Sequence, residues 1–225
     1  KEIARMAESR GHHIGLIIDL DNVDDLNKEK LTDIDVAIEF SSPASAYNNI
    51  LSCAKCGTPV VSGTTGWMDK KEELLKHIKE TGGGLFWASN YSIGVNILFS
   101  LNEKLAGIMN EYPEYKVLME EVHHIHKQDA PSGTAVTLAE QIIMTNDSVE
   151  QWSLKDSDDK SLHIKAKREG EVFGYHKVIY DSEIDTISIS HNAKSRKGFV
   201  AGAVAAAEFM EGKSGVFGMK DLLNL

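Results

Sequence analysis

The feature that most restricts this chain is an alternation. Short apolar runs and helical stretches take turns through its first ninety or so residues, the pattern of a parallel sheet with crossover helices. Residues 2–10 read as a helix that Gly11 closes. His13 to Asp19 holds Ile14-Gly15-Leu16-Ile17-Ile18 and reads as a buried strand. Asp35 to Phe40 repeats the type, followed by a helix over 44–56. Thr58 to Ser62 is a third strand and 68–81 a third helix. Leu85-Phe86-Trp87-Ala88 is a fourth strand. The expected fold class is therefore α/β, with a Rossmann-type parallel sheet in the first part.

Beyond Ser92 the pattern changes. A long apolar helix to about Asn110 precedes a strand at Tyr115–Val122 and a helix over 133–145. Leu162–Arg168, Val172–Tyr180 and Ile184–His191 then follow one another as strands, which predicts a mixed sheet in a second, α+β domain. The polar stretch Thr145–Lys160 reads as an exposed loop. Gly198 to Met210 is a small-residue helix able to pack closely and to return to the first domain. The expected division is 1–93 with 197–225 for dinucleotide binding, and 94–196 for substrate binding and oligomerisation.

Charge and cysteine usage narrow the function classes. Lys plus Arg total 24 against 34 acidic residues, a net charge of −10, which is not the basic footprint of a nucleic-acid binder. No apolar run approaches the ~18 residues a membrane-spanning helix needs. Two cysteines make no disulfide framework, so a reducing cytoplasm is expected. Cys53 and Cys56 form a C-x-x-C, but a zinc ribbon needs a second pair, and this pair lies near a helix end. They read as incidental thiols on a helix face.

In an open parallel sheet, ligands bind beyond the carboxyl ends of the strands. Asp19 ends the first apolar run; its carboxylate suits a ribose, although a solvated turn acid is the plain alternative. Ser62-Gly63-Thr64-Thr65-Gly66 and Ala88-Ser89-Asn90-Tyr91-Ser92 end two later strands and offer close backbone approach, hydroxyls and an amide. No G-x-G-x-x-G phosphate loop is present. A strand and glycine turn of ~12–15 residues preceding Lys1 is therefore expected.

The most informative segment runs Glu120-Glu121-Val122-His123-His124-Ile125-His126-Lys127-Gln128-Asp129-Ala130-Pro131-Ser132-Gly133-Thr134-Ala135. A strand ends in a loop with three imidazoles and an ammonium, and a helix follows. Free N–H groups at a helix start and Lys127 favour an anion beside an acid/base group. His123, His124 and His126 as zinc ligands are the sharp competitor, and an ordinary solvated loop the plain one. Adjacent residues of an extended segment point to opposite sides, and Lys127 disfavours a cation, so no metal is expected.

This segment resembles the signature of the 4-hydroxy-tetrahydrodipicolinate reductase family, also called dihydrodipicolinate reductase. Glu39-Phe40-Ser41-Ser42-Pro43, Gly63-Thr64-Thr65-Gly66, Asn90-Tyr91-Ser92-Ile93-Gly94-Val95-Asn96, Arg168-Glu169-Gly170 and Ser195-Arg196-x-x-Phe199 look like further family motifs in family order. The resemblance implies that His123 is the acid/base residue and Lys127 the proton donor. It implies that His124, Gly133, Thr134 and Arg196 bind a small dicarboxylate substrate. Gly63, Thr64, Thr65 and Ala88, Ser89, Asn90, Tyr91 would hold the nicotinamide side of NADH or NADPH, and Asp19 its adenosine ribose. Leu20, not arginine, follows Asp19, so NADH is expected to serve at least as well as NADPH. A homotetramer built through the second domain's sheet is also implied, while His126 receives no role. Another NAD(P)-dependent dehydrogenase, a non-catalytic dinucleotide sensor and a metal-dependent hydrolase stand as alternatives.

Overall fold

The structure is a computed structural model and describes residues 1–155 and 160–225. In chain order its elements are α1 (Glu2–Ser9), β1 (Ala37–Glu39), α2 (Pro43–Cys56), β2 (Val60–Ser62), α3 (Lys71–Thr81), β3 (Gly84–Trp87), α4 (Ile93–Met109), β4 (Lys116–His123), α5 (Gly133–Thr145), β5 (Gln151–Ser153), β6 (Ser161–Arg168), β7 (Tyr175–Asp181), β8 (Thr186–Asn192), α6 (Lys197–Met210), β9 (Gly215–Phe217) and α7 (Met219–Leu223). They form two units, Lys1–Ile93 with Lys197–Leu225, and Gly94–Arg196.

In the first unit four parallel strands lie in the order β1-β2-β3-β9. Neighbouring residues of each strand feed opposite cores. Val60 and Leu85 pack with Ala46, Ile50, Leu74 and Ile78 of α2 and α3. Val61 and Phe86 pack with Ala203, Ala206 and Met210 of α6. Burial on both faces explains why these strands read as unbroken apolar runs. Helix α6 approaches closely enough that a Cβ on Gly202 would lie 1.7 Å from the Tyr91 carbonyl oxygen. Cys53 and Cys56 are free thiols near the end of α2, and burial pushes the Cys53 thiol up to about 12.

One expected strand does not form. His13 to Asp19 carries no strand pairing, and a 3-10 turn at Leu20–Asp25 follows it. Its side chains still alternate, with Ile14, Leu16 and Ile18 half-buried and Ile17 exposed. The segment borders a cavity of about 620 Å³, which β1 also lines through Ala37, Ile38 and Glu39. Alternation survives because the segment has an apolar side, but a strand exists only where a partner takes its backbone bonds. The sheet's short β9 and the terminal α7 carried too little periodicity to be read from sequence.

The second unit holds a mixed sheet in the order β5-β6-β4-β7-β8. Strands β5, β6 and β4 run parallel, and β4, β7 and β8 antiparallel. Its core joins Met119, Ile164, Val178 and Tyr180 of the sheet to Leu98 of α4 and Leu138 and Ile142 of α5. Asn102 on α4 stitches the helices together, donating to the Leu138 carbonyl and the Gln141 side chain, each at 3.0 Å. The expected loop over 145–160 is partly a strand, because Trp152 packs against the core and β5 pairs with the start of β6. Residues 156–159 of that expectation lie outside the described residues. The strand expected from Val172 begins at Tyr175, and that from Ile184 begins at Thr186. No helix among the described residues is long and apolar enough to cross a membrane.

Candidate active site

Strand β4 carries the buried polar cluster of the second unit. Its burial alternates so that Met119, Glu121 and His123 face inward. Central placement between β6 and β7 surrounds those side chains with protein. His123 pairs in register with Arg168 of β6, and Glu121 with His176 of β7. A buried polar cluster results. The Glu121 carboxylate lies 3.0 Å from His123 Nδ1, at contact distance though outside hydrogen-bond alignment. Its Oε1 accepts from the Ser132 amide at 3.2 Å and the Arg168 guanidinium at 3.1 Å. His176 Nε2 is 3.0 Å from the Ser132 hydroxyl.

Electrostatics follow from this packing. Burial alone would raise the Glu121 pKa, but His123, the Ser132 amide and Arg168 outweigh it and hold the carboxyl at about 2. Burial, with His123 close by, depresses His176 to about 4. Glu121 is thus a carboxylate and His176 a neutral imidazole at neutral pH.

The loop after β4 turns on Arg168, which donates to the Lys127 carbonyl at 3.3 Å and to the Asp129 carbonyl. Lys127 extends its ammonium to Asp129 at 2.8 Å, and this contact draws the Asp129 pKa down. Ser132 caps α5, its hydroxyl accepting from the Ala135 amide at 3.3 Å. Two amides near the helix start therefore already have protein acceptors. Gly133 is exposed, with open space where a side chain would stand.

The three loop histidines separate. His123 packs edge-on to His176 with ring centroids 5.0 Å apart, and His124 faces His126 at 6.0 Å. His126 lies 3.3 Å from Glu171 at the surface. The trio that competed as zinc ligands is therefore not assembled. A different group, Glu121, His123 and His176, brings candidate ligand atoms within 4.8 Å of one another. Arg168 contacts its carboxylate and supplies the positive charge there.

In the first unit the loops after β1 and β2 meet at Glu39. This buried carboxylate accepts from the hydroxyls of Ser62 at 2.6 Å and Thr64 at 2.9 Å, and from the Ser41 amide at 2.9 Å. Gly63 passes so close to Phe40 that a Cβ would stand 2.1 Å from the ring. Thr65 and Ser89 are exposed, whereas Thr64, Ala88 and Tyr91 are buried. Tyr91 donates its hydroxyl to the Ser62 carbonyl at 2.6 Å, and Asn90 accepts from the Ser92 amide at 2.9 Å. Asp19 is exposed and caps the turn at Leu20, accepting from that residue's amide at 2.8 Å. Arg196 is exposed immediately before α6.

Glu121, Arg168, His176 and Glu39 were not singled out from sequence. A period-of-two reading of β4 would have found Glu121, since it shares a face with His123. His176 and Arg168 become neighbours only through strand pairing.

A parallel α/β unit with glycine- and hydroxyl-bearing loops at its strand ends, and an α+β unit with a buried histidine–carboxylate cluster, fit the class of two-unit dinucleotide-dependent reductases. Comparison with known proteins gives the particular family. Residues 2–91 match the family described as dihydrodipicolinate reductase, N-terminus, and residues 94–223 its C-terminus. The chain belongs to the dihydrodipicolinate reductase family, NAD(P)H-dependent oxidoreductases of the diaminopimelate route to lysine. It is 47% identical over 224 residues to a 4-hydroxy-tetrahydrodipicolinate reductase of Christiangramia forsetii, covering 99% of this chain and 92% of that protein. A reductase of the same name from Methanopyrus kandleri is 37% identical over 199 residues, 85% of this chain and 72% of that one. The fold matches a dipicolinate-bound dihydrodipicolinate reductase from Paenisporosarcina sp. TG-14 with a TM-score of 0.74 at 21% identity, over 96% of this chain and 92% of that one.

Proposed function

We propose that the chain reduces 4-hydroxy-tetrahydrodipicolinate to tetrahydrodipicolinate with NADH or NADPH, with His123 as acid/base and Lys127 as proton donor. The observation that carries the reading is the end of β4, where a buried histidine, a lysine-bearing loop and a capped helix start are bound together through Glu121 and Arg168. His124, Gly133, Thr134 and Arg196 bind the substrate, the cations meeting its carboxylates. Asp129 neutralises Lys127 until an anionic ligand takes its place, which suits a dicarboxylate.

The residues of the first unit fit a dinucleotide at two ends. Gly63, Thr64, Thr65 and Ala88, Ser89, Asn90, Tyr91 would hold the nicotinamide side, where Thr65 and Ser89 are open and Gly63 lets the loop pack on the Phe40 ring. Asp19 presents an exposed carboxylate suited to a ribose. The reduced cofactor supplies the hydride. Negative charge left in the conjugated imine is met by a proton from Lys127 or His123, while the carboxylates are held by Arg196 and the start of α5.

The reading also carries a homotetramer assembled through the sheet of the second unit. Leu118 on β4, Ile187 on the edge strand β8 and Ile184 just before it are exposed there, in keeping with a surface that a second copy covers. A cytoplasmic setting accords with the two free thiols and the biosynthetic role of the family.

The test is oxidation of NADH and NADPH on adding freshly generated substrate. The expected kcat/KM with NADH equals or exceeds that with NADPH, since Asp19 repels a 2′-phosphate and Leu20 offers it no cation. A strong NADPH preference overturns that assignment. His123→Ala is expected to lower kcat by roughly two to four powers of ten, and near-normal turnover removes His123 from the mechanism.

A further inference from the structure

We infer that Glu121 is a positioning residue for the reduction, fixing the ring and tautomer of His123 and tying that ring to the Lys127 loop. The inference rests on the acid/base role proposed for His123. Glu121 is fully buried on the central strand, two residues before His123 and on the same face. One oxygen stands 3.0 Å from His123 Nδ1 and 3.9 Å from His176 Nε2. The other receives the Ser132 amide and Arg168, whose guanidinium also holds the carbonyls of Lys127 and Asp129. A single carboxylate thus touches the imidazole, the clamp of the lysine loop and the start of α5.

An anion at contact distance favours the proton on the ring nitrogen that faces it. The proton therefore rests on Nδ1, and Nε2 carries the lone pair. The opposite edge of the ring is kept clear by a second feature. Gly174 has φ +152°, and a Cβ built on it would lie 3.2 Å from His123 Nε2. A glycine there leaves room at the nitrogen that the carboxylate makes basic. His176 cannot substitute for Glu121, because it is neutral and already engaged with the Ser132 hydroxyl.

The experiment begins with the unaltered protein, labelled with ¹⁵N at histidine, in which two-bond correlation spectra report the tautomer of each ring. His123, assigned by loss of its signals in His123→Asn, is expected as the Nδ1–H form. An Nε2–H form overturns the inference without reference to any variant. Glu121→Gln keeps the shape and removes the charge. It is expected to lower kcat by about 10- to 100-fold with KM within about threefold, and to leave His123 without a single preferred tautomer. An unchanged His123 spectrum in that variant, or turnover within about threefold of the parent, also overturns it. If instead His123→Ala retains turnover while His123 is found as Nδ1–H, the acid/base reading fails and takes the positioning role in the reduction with it, although the tautomer is as expected.

Discussion

Glu121 and His176 sit side by side with their titrations displaced, and each makes folding sensitive to acid in its own range. His176 is held neutral down to about pH 4, whereas in the unfolded chain it takes up a proton near its ordinary 6.5. The unfolded state therefore binds more protons between those values, and stability falls as pH drops from 6.5 toward 4. Glu121 continues the trend lower, its stabilising charge being present above about 4.5 and lost as pH falls through about 2. The expected outcome is a Tm that declines steadily below pH 6.5, measured by thermal scans in matched ionic strength. His176→Asn should flatten the decline between 6.5 and 4, whatever its effect on Tm at neutral pH. At this scale the sequence is legible where residues are local: His123, Lys127 and the helix start at Ser132 lie within one short segment. Glu121 was half legible, through strand periodicity. Arg168 and His176 were not, because they lie more than forty positions from Lys127 and Ser132, the residues they contact, and only sheet register makes them neighbours.

Among the elements, α6 is the one whose composition has the most direct structural reason. Its run of small residues lets it lie against the loop after β3, where Gly202 meets the Tyr91 backbone with no room for a methyl group. Backbone cannot yield as a flexible side chain can. Gly202→Ala is therefore expected to destabilise the protein by about 3 kcal/mol, read as a lower urea midpoint with the m-value preserved. The helices were legible from sequence because each carries its own apolar stripe. Helix α3, with Leu74 and Ile78 buried one turn apart, begins and ends within a few residues of the expected span. Strands were less so. Ile14 to Ile18 has the alternation of a strand and none of its pairing, and Gln151 to Ser153 pairs although its surroundings read as a polar loop. Periodicity reports which side of a segment is apolar; it does not report whether a neighbour is present to take its N–H and C=O groups.

Across the molecule, each unit closes its own core, and the two sheets manage their edges differently. In the second unit β5 and β8 close the ends, and β8 shows mostly hydroxyl and amide side chains to its surroundings. In the first, β1 is bonded on one side only, and its other side fronts the cavity it shares with residues 14–18. Among the described residues no strand pairs along that side. Hydrogen–deuterium exchange is therefore expected to be fast across 14–18 and slow across β2 and β3, whose strands are buried on both faces. Double burial has a proteolytic meaning as well. A protease must draw several residues of extended chain into its cleft, which packed strands such as β2 and β3 do not release without unfolding. What guards these strands from digestion is thus the same two-sided packing that hides their apolar runs from water.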